Sequence, residues 1–456
     1  MCDKSIQRDV MKADNNSTKN STKNSTKNSS VGLLGAIAIG VGGMVGGGIF
    51  AVLGEAVSLA SGATAVAFLV AGLVALLSSY SYAKLSVAYQ NRGGTVVFID
   101  NAFKHNLLSG GINLFLWLSY LVTISLYASA FASYGLTFVH DGESMTWLRH
   151  VFISLAILLP AGINLLNATF VSKSESIIVA IKIILLVIII FFGASHVDMN
   201  RLSVSHWESP LSIIAAGMII FVAYEGFELI ANTAEEIKNP TINLPRAFYG
   251  SVIFVILLYL LIAVITVGSV SQSELMAAKD YALAIAAKPS LGHVGFVAVS
   301  IAALLATFSA INATIYGNAR LGYIIAKEGE LPQVLDEQKR DIPMMGVIMT
   351  TLISLFIANT IDLKEIAIIG SAGFLLIFSL VNISAYKLYR HINGNKILIM
   401  ISSIVSVLSL LTLLGHTYTK DPKAIVVFFV FIILSIGFEY FYGTLVRGHF
   451  FNRKYK

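Results

Sequence analysis

Apolar residues in this chain fall in long unbroken runs, not in the alternating or i, i+3, i+4 stripes of water-soluble elements. Twelve runs stand out: approximately Leu34–Ala60, Ala63–Tyr89, Leu108–Val139, Trp147–Leu166, Ser174–Ala194, Leu211–Ala234, Arg246–Gly268, Val294–Ala326, Pro343–Asn359, Lys364–Leu388, Lys396–Gly415 and Ala424–Val446. A helix needs ~20 apolar residues to cross a hydrocarbon core. The pattern therefore predicts an all-α polytopic membrane protein with twelve transmembrane helices. An even number of crossings puts both termini on one side.

Two runs are interrupted where a spanning helix should be most regular. The first reads GVGGMVGGGIF, with Gly46, Gly47 and Gly48 in the middle. The sixth reads IIFVAYEGFELIA, with Glu225 and Gly226 in the middle. These are the opening helices of two sets of five, over residues 31–195 and 196–390, with the last two spans (391–446) outside both. Paired interruptions in corresponding helices mark a transporter's binding site. Unwound backbone at membrane depth is tolerated only where its free amides and carbonyls face a cavity or ligand. Half-helix N-termini there present N–H groups and a positive dipole end to a carboxylate. Close helix packing is the other reading of the glycines, since Gly42/Gly46 and Gly43/Gly47 have small-xxx-small spacing.

Composition agrees with the pattern. The 456 residues are 56% hydrophobic and 12% charged, against about 25% charged in soluble domains. The net charge of +6 does not call for nucleic acid, because topology accounts for it. Twenty-two of the 31 Lys and Arg residues fall on the side of the N-terminal tail and seven on the other, with Lys84 and Lys182 inside spans. The positive-inside rule then places both termini in the cytoplasm of a multi-pass protein in the cytoplasmic (inner) membrane. Residues 1–30 are polar and carry a repeat of STKN, so a disordered cytoplasmic tail is expected rather than a signal peptide. The triplets at Asn16, Asn20 and Asn24 would lie on that side. A second cytoplasmic tail is expected over residues 447–456. A single cysteine, Cys2, precludes an internal disulfide.

Ionisable residues inside the spans carry the candidate chemistry. Lys182 interrupts IIVAIKIILLVIIIFFGA, eight residues past Ser174, which is ~12 Å along a helix. Such a lysine costs roughly 2.5–3.5 kcal/mol on insertion scales and usually lines an ion or substrate path. It is a proton-carrier candidate or half of a structural ion pair. Glu225 and Glu228 would share a face of an intact helix. They are candidates for a titrating gate, for contact with a substrate ammonium group, or for an interior ion pair. Tyr120, Tyr127, Tyr224, Trp117 and Phe227 could wall a small pocket. Ser309 and Asn312 are polar at depth in the eighth span.

These residues carry a resemblance. FVAYEGFELIANTAEEIKNPTINLPRA, with GGGIF, SAINATIYGNARLGYIIAKEGELP and FLLIFSLVNISAYKLYR, resembles the amino acid–polyamine–organocation (APC) superfamily of permeases. The resemblance implies the LeuT-type 5+5 inverted repeat plus two helices, with helices 1 and 6 unwound at mid-membrane. It implies that amides around Gly46, Gly47, Gly48 and Ile49 hold a substrate carboxylate. Carbonyls over Phe221–Tyr224 would take the amino group, beside Glu225 and Phe227. Lys182, in IVAIKIILL, is similar to the span-five lysine of the family's archaeal proton-coupled, broad-specificity amino acid transporter. Glu228 falls on the span-six glutamate that the arginine/agmatine antiporter links to proton sensing. Ser309 and Asn312 would lie near the coupling site.

The resulting expectation is a proton-coupled amino acid importer working by alternating access. Its partners are a small-molecule amino acid and the bilayer, as a monomer or a homodimer. No cofactor or metal is expected; the proton is the coupling ion. An antiporter, or a carrier of cationic amino acids or polyamines, is the alternative, and a channel is the alternative from another class. No His-Glu metal motif, nucleophile elbow or phosphate loop marks an enzyme.

Overall fold

The computed structural model describes residues 30–104, 106–139, 145–166, 168–336 and 343–446, and of residues 168–176 the backbone alone. The STKN repeat with Asn16, Asn20 and Asn24, and the tail 447–456, lie outside the described residues, as do the side chains of Lys173, Lys339 and Arg340.

Sixteen α-helices form the described fold, with no strand beyond two isolated bridges. The first span is a bent pair, α1 (Leu33–Met44) and α2 (Gly48–Ala60), with an angle of 49° between them. Next come α3 (Thr64–Ala88), the short α4 (Thr95–Phe103), α5 (Leu107–Leu136), α6 (Thr146–Leu166), α7 (Ala168–Gly193) and α8 (Pro210–Ile219). Then follow α9 (Pro240–Ser269), α10 (Gln272–Ala277), α11 (Ala282–Ala286), α12 (Lys288–Lys327), α13 (Met344–Thr360), α14 (Leu363–Lys387), α15 (Lys396–Lys420) and α16 (Pro422–Leu445). Ten stretches are long and apolar enough to cross a membrane, and the bent pair makes an eleventh. The remaining expected span is α13, an apolar helix of 17 residues. The eighth span runs longer than its apolar stretch. It starts at Lys288 and turns at Gly292, whose φ of 60° no ordinary helix contains.

Both interruptions are real breaks. In the first span the helix stops at Met44 and restarts at Gly48. In the sixth, α8 gives way to a 3-10 turn over Ile220–Tyr224, then to extended backbone at Glu225 and left-handed backbone at Gly226. The lower half, Phe227–Glu236, continues as 3-10 helix.

Four of the five pairs of spans five apart pack against each other. The first meets the sixth, α3 meets α9, α5 meets α12, and α6 meets α13. The two sets of five are thus interleaved around the breaks. α5 is buried along almost its whole length, which puts it at the centre. α15 and α16 expose Ile404, Leu408, Leu411, Val426, Ile433 and Phe441, the outward apolar face that lipid requires of a peripheral span.

Candidate functional site

The two breaks touch. A Cβ on Gly43 would stand 2.8 Å from the carbonyl oxygen of Gly226, and one on Gly48 would stand 2.8 Å from the Ala223 Cα. Backbone can approach backbone this closely only where side chains are missing.

Unwinding frees amides and carbonyls, and neighbouring spans satisfy several of them. Ser371 of α14 accepts from the Val222 amide at 3.0 Å and donates to the Ile219 carbonyl at 2.5 Å. This one hydroxyl bridges the turn where α8 ends. Tyr259 of α9 reaches carbonyls of both breaks, Met44 at 2.7 Å and Ala223 at 3.2 Å. Tyr224 turns away and donates to the Phe68 carbonyl of α3 at 2.8 Å.

The glutamates take separate partners two turns apart on α5. Tyr127 donates to Glu225 at 3.2 Å, and Tyr120 to Glu228 at 2.9 Å. Glu228 also accepts the Gly226 amide at 2.8 Å, so the break is held by a side chain of its own segment. Both carboxyl groups are buried. The separation of Glu225 from Glu228 follows from the break, which removes the helical face they would have shared.

A cavity opens beside the breaks. Gly42, Gly43, Tyr120, Tyr127, Lys182, Glu225, Ser309 and Ala310 form one group of its lining residues, and Leu229, Asn232, Thr314, Gly317, Asn318 and Leu321 form a second. The second group lies towards the ends of the sixth and eighth spans, on the side of the N-terminal tail. Lys182 is 2% exposed and sits on α7 where α7 packs against α12 and α1. One turn before it, Val179 covers Gly42. The structure puts Lys182 on the wall of the same cavity as Glu225.

The other sequence candidates are placed as follows. Gly46 and Gly47 lie in the break and Gly48 and Ile49 open α2, and the Tyr127 ring lies over Gly47, where a Cβ would come within 2.3 Å of it. Phe221 packs edge-on against Phe378. Phe227 joins Tyr82, Phe248 and Phe378 in an aromatic cluster away from the cavity lining. Ser309 lines the cavity. Asn312 turns to α6, where Asn164 donates to its side-chain oxygen at 2.8 Å and to its carbonyl at 3.1 Å. Trp117 donates to the Asn318 carbonyl at 3.2 Å. Tyr259, Ser371 and Asn232 were not singled out from the sequence. A lone Tyr, Ser or Asn in an apolar run gives no signal until the packing register is known.

The opposite end of the bundle is closed by charge. The segment between α9 and α12 lies on α2, and Lys279 meets Glu55 at 2.9 Å. Arg149 of α6 meets Asp280 at 3.5 Å, and Ser133 of α5 donates to Asp280 at 3.1 Å.

The chain was compared with known proteins. The family model described as amino acid permease matches residues 31–442. An uncharacterized protein of Methanocaldococcus jannaschii is 33% identical over 424 residues, which is 92% of this chain and 97% of that protein. The inner membrane transport protein YbaT of Escherichia coli is 32% identical, over 89% of this chain and 94% of YbaT. The human large neutral amino acids transporter small subunit 2 is 27% identical, over 76% and 66%.

Proposed function

The chain belongs to the amino acid permease family, and on that premise we propose that it imports amino acids across the cytoplasmic membrane by proton-coupled alternating access. The observation that carries this reading is the cavity at the meeting point of two broken helices, walled by both Lys182 and Glu225. A zwitterion has one charge of each sign, and the site offers backbone donors, backbone acceptors and ionisable groups of both signs.

In this reading the amides at the start of α2, over Gly46–Ile49, hold the substrate carboxylate at a helix N-terminus. Carbonyls of Phe221–Tyr224 take the amino group. Lys182, between α7, α1 and α12, carries the coupled proton, and Glu228 is a second proton site. Gain or loss of that proton shifts the balance between two arrangements of the bundle. The interleaved contacts between spans five apart support an inverted 5+5 repeat of the LeuT type. The distribution of Lys and Arg supports cytoplasmic termini.

A second reading rests on Glu225. A buried carboxyl on the cavity wall favours a cationic amino acid or an exchange of amines, because a cationic group could serve as its partner. Purified protein in proteoliposomes tests both. Uptake should saturate and be driven uphill by a pH gradient, and competition by the twenty amino acids and several polyamines should rank the substrates. Amino acid flux that neither saturates nor responds to the gradient would defeat the proposal.

A further inference from the structure

Lys84, Lys104, Lys387, Arg390 and Lys396 gather at the tail-side ends of α3, α4, α14 and α15. These elements are neighbours: α14 packs on α3, α4 and α15, and α15 packs on α3. Among the described residues, none of the five cations forms an ion pair. The sequence leaves them little to pair with. No Asp or Glu occurs between Glu55 and Asp100 or between Glu365 and Asp421. Asp100, the one carboxylate on α4, is buried and accepts from Asn113 of α5. Arg92, on the same side of the molecule, shows the contrast, because it meets Glu235 at 3.5 Å and Glu236 at 3.1 Å.

Aromatic faces hold the cations instead. The Lys387 ammonium group stands 3.9 Å from the centre of the Phe103 ring. Lys396 stands 5.5 Å from that of Tyr389 and 5.8 Å from that of Tyr386. The Arg390 guanidinium is 5.7 Å from Tyr389, and Lys84 is 6.0 Å from Tyr80. The rings are themselves tied down. The Asn395 amide donates to the Tyr80 hydroxyl at 2.9 Å, and Arg390 Nε donates to the Tyr389 hydroxyl at 3.0 Å. A ring face attracts a cation through its quadrupole but carries no net charge. The patch is thus ordered and keeps its full positive charge.

Uncovered hydrocarbon leads away from it. On α3, Leu73, Leu77, Tyr80 and Lys84 follow one another at helical spacing and none is buried. On α15, Ile397, Met400, Ile404 and Leu408 are exposed in the same way. An ordered cationic patch above two apolar faces matches an anionic head above acyl chains. We propose that this patch is a binding site for an anionic phospholipid of the tail-side leaflet, with the phosphate-bearing headgroup among Lys84, Arg390 and Lys396 and the chains along α3 and α15. A free phosphate would use the cations alone. The apolar faces that continue from them favour the lipid. The proposal rests neither on the substrate nor on the coupling ion.

The test is thermal unfolding of the full-length protein in neutral detergent, titrated with phosphatidylglycerol, phosphatidylcholine or inorganic phosphate. Phosphatidylglycerol should stabilise wild type saturably, and the other two should not. Equal protection by phosphatidylcholine would show that acyl chains alone act, and equal protection by phosphate would show a free-anion site; either overturns the proposal. Lys/Arg near an anionic surface contributes about fivefold in affinity per cation. Arg390→Gln should therefore raise the half-saturating phosphatidylglycerol about fivefold. The triple variant Lys84→Gln, Arg390→Gln, Lys396→Gln should raise it at least about thirtyfold. The control removes the same charge from the same side but outside the patch: Lys238→Gln, Arg320→Gln, Lys327→Gln. It should stay within about twofold of wild type. An equal loss in the control would mean diffuse attraction and no site, and a wild-type response of the patch variant would place the lipid elsewhere. Tighter protection of wild type by a soluble acidic phosphopeptide than by phosphatidylglycerol would assign the patch to a protein partner and sink the lipid.

Discussion

Gly226 and Gly43 meet backbone to backbone. A Cβ on Gly226 would stand 2.4 Å from the Gly43 carbonyl carbon and 2.6 Å from the Met44 nitrogen. Gly226 also holds a φ of 119°, which L side chains rarely adopt. The two constraints are independent, and both arise from the crossing of the broken spans. The crossing therefore does more than create a cavity. It fixes how far apart the free amides of one break lie from the free carbonyls of the other.

Gly226→Ala should accordingly fail at the level of folding. The conformation alone costs roughly 1–2 kcal/mol, and the atoms that a methyl would meet are backbone, which cannot move aside as a side chain can. We expect a large loss of monodisperse protein and of thermal stability in detergent. Gly250→Ala is the comparison, because a Cβ there meets only the flexible end of Ile37 at 3.4 Å. Equal stability of the two variants would contradict the contact.

The broken spans were legible in the sequence because apolar runs and their interruptions are one-dimensional signals. GGG and EG stand out against leucine and isoleucine without any knowledge of packing. Tyr120, Tyr127, Lys182, Glu225 and Ser309 were named for the same reason, as polar or aromatic groups at depth, and they line one cavity. Phe227 was named with them and packs elsewhere, because a break turns side chains by an angle that periodicity does not give. Asn232, Gly317 and Tyr259 had no signal. Their roles depend on which face of a helix meets which neighbour. The helix Thr95–Phe103 was likewise missed, being nine residues long and too short to stand out as a membrane crossing.

Lys182 carries the next prediction. It is buried on α7 at the contact with α1 and α12, where a change of its charge would alter how these helices pack. Lys182→Ala should reduce uphill accumulation under an inward proton gradient at least tenfold. Equilibrium binding of the substrate should change only a few-fold. Substrate concentrated as well as by wild type would assign the proton to another group, Glu228 first.

Glu225 bears on substrate choice. Its carboxyl has one hydrogen-bond donor, the Tyr127 hydroxyl at 3.2 Å, and it faces the cavity that Lys182 also lines. Glu225→Gln keeps the shape and removes the possibility of charge. If the ionised carboxylate meets a substrate amine, binding of lysine and arginine should weaken by about tenfold or more, as expected for a charge-assisted bond. Neutral amino acids should change much less. Competition curves across the panel read this directly, and a uniform shift would leave Glu225 only a structural or proton-linked part. Tyr127→Phe should produce a milder form of the same selectivity change, since it leaves the ring over Gly47 and removes only the hydroxyl.

The last prediction concerns the closed face. Lys279 is doubly held against α2: its ammonium group meets Glu55 at 2.9 Å, and its carbonyl oxygen lies 1.7 Å from where a Cβ on Gly54 would stand. The segment between α9 and α12 can seat on α2 only because residue 54 has no side chain. Gly54→Ala should therefore keep that segment lifted and bias the protein towards opening on the face away from the tail. Glu55→Gln removes the ion pair without adding an atom, so it should do the same more weakly. The only native cysteine is Cys2, so Cys2→Ser provides a clean background, and Ala51→Cys places a thiol in the charged vestibule lined by Glu55, Arg149 and Lys279. Labelling of that thiol by a membrane-impermeant maleimide added from that face should speed up severalfold with Gly54→Ala and less with Glu55→Gln. Equal labelling in all three proteins would mean that this segment does not gate the cavity. Faster labelling with Glu55→Gln alone would assign the gate to the ion pair and not to the close fit at Gly54.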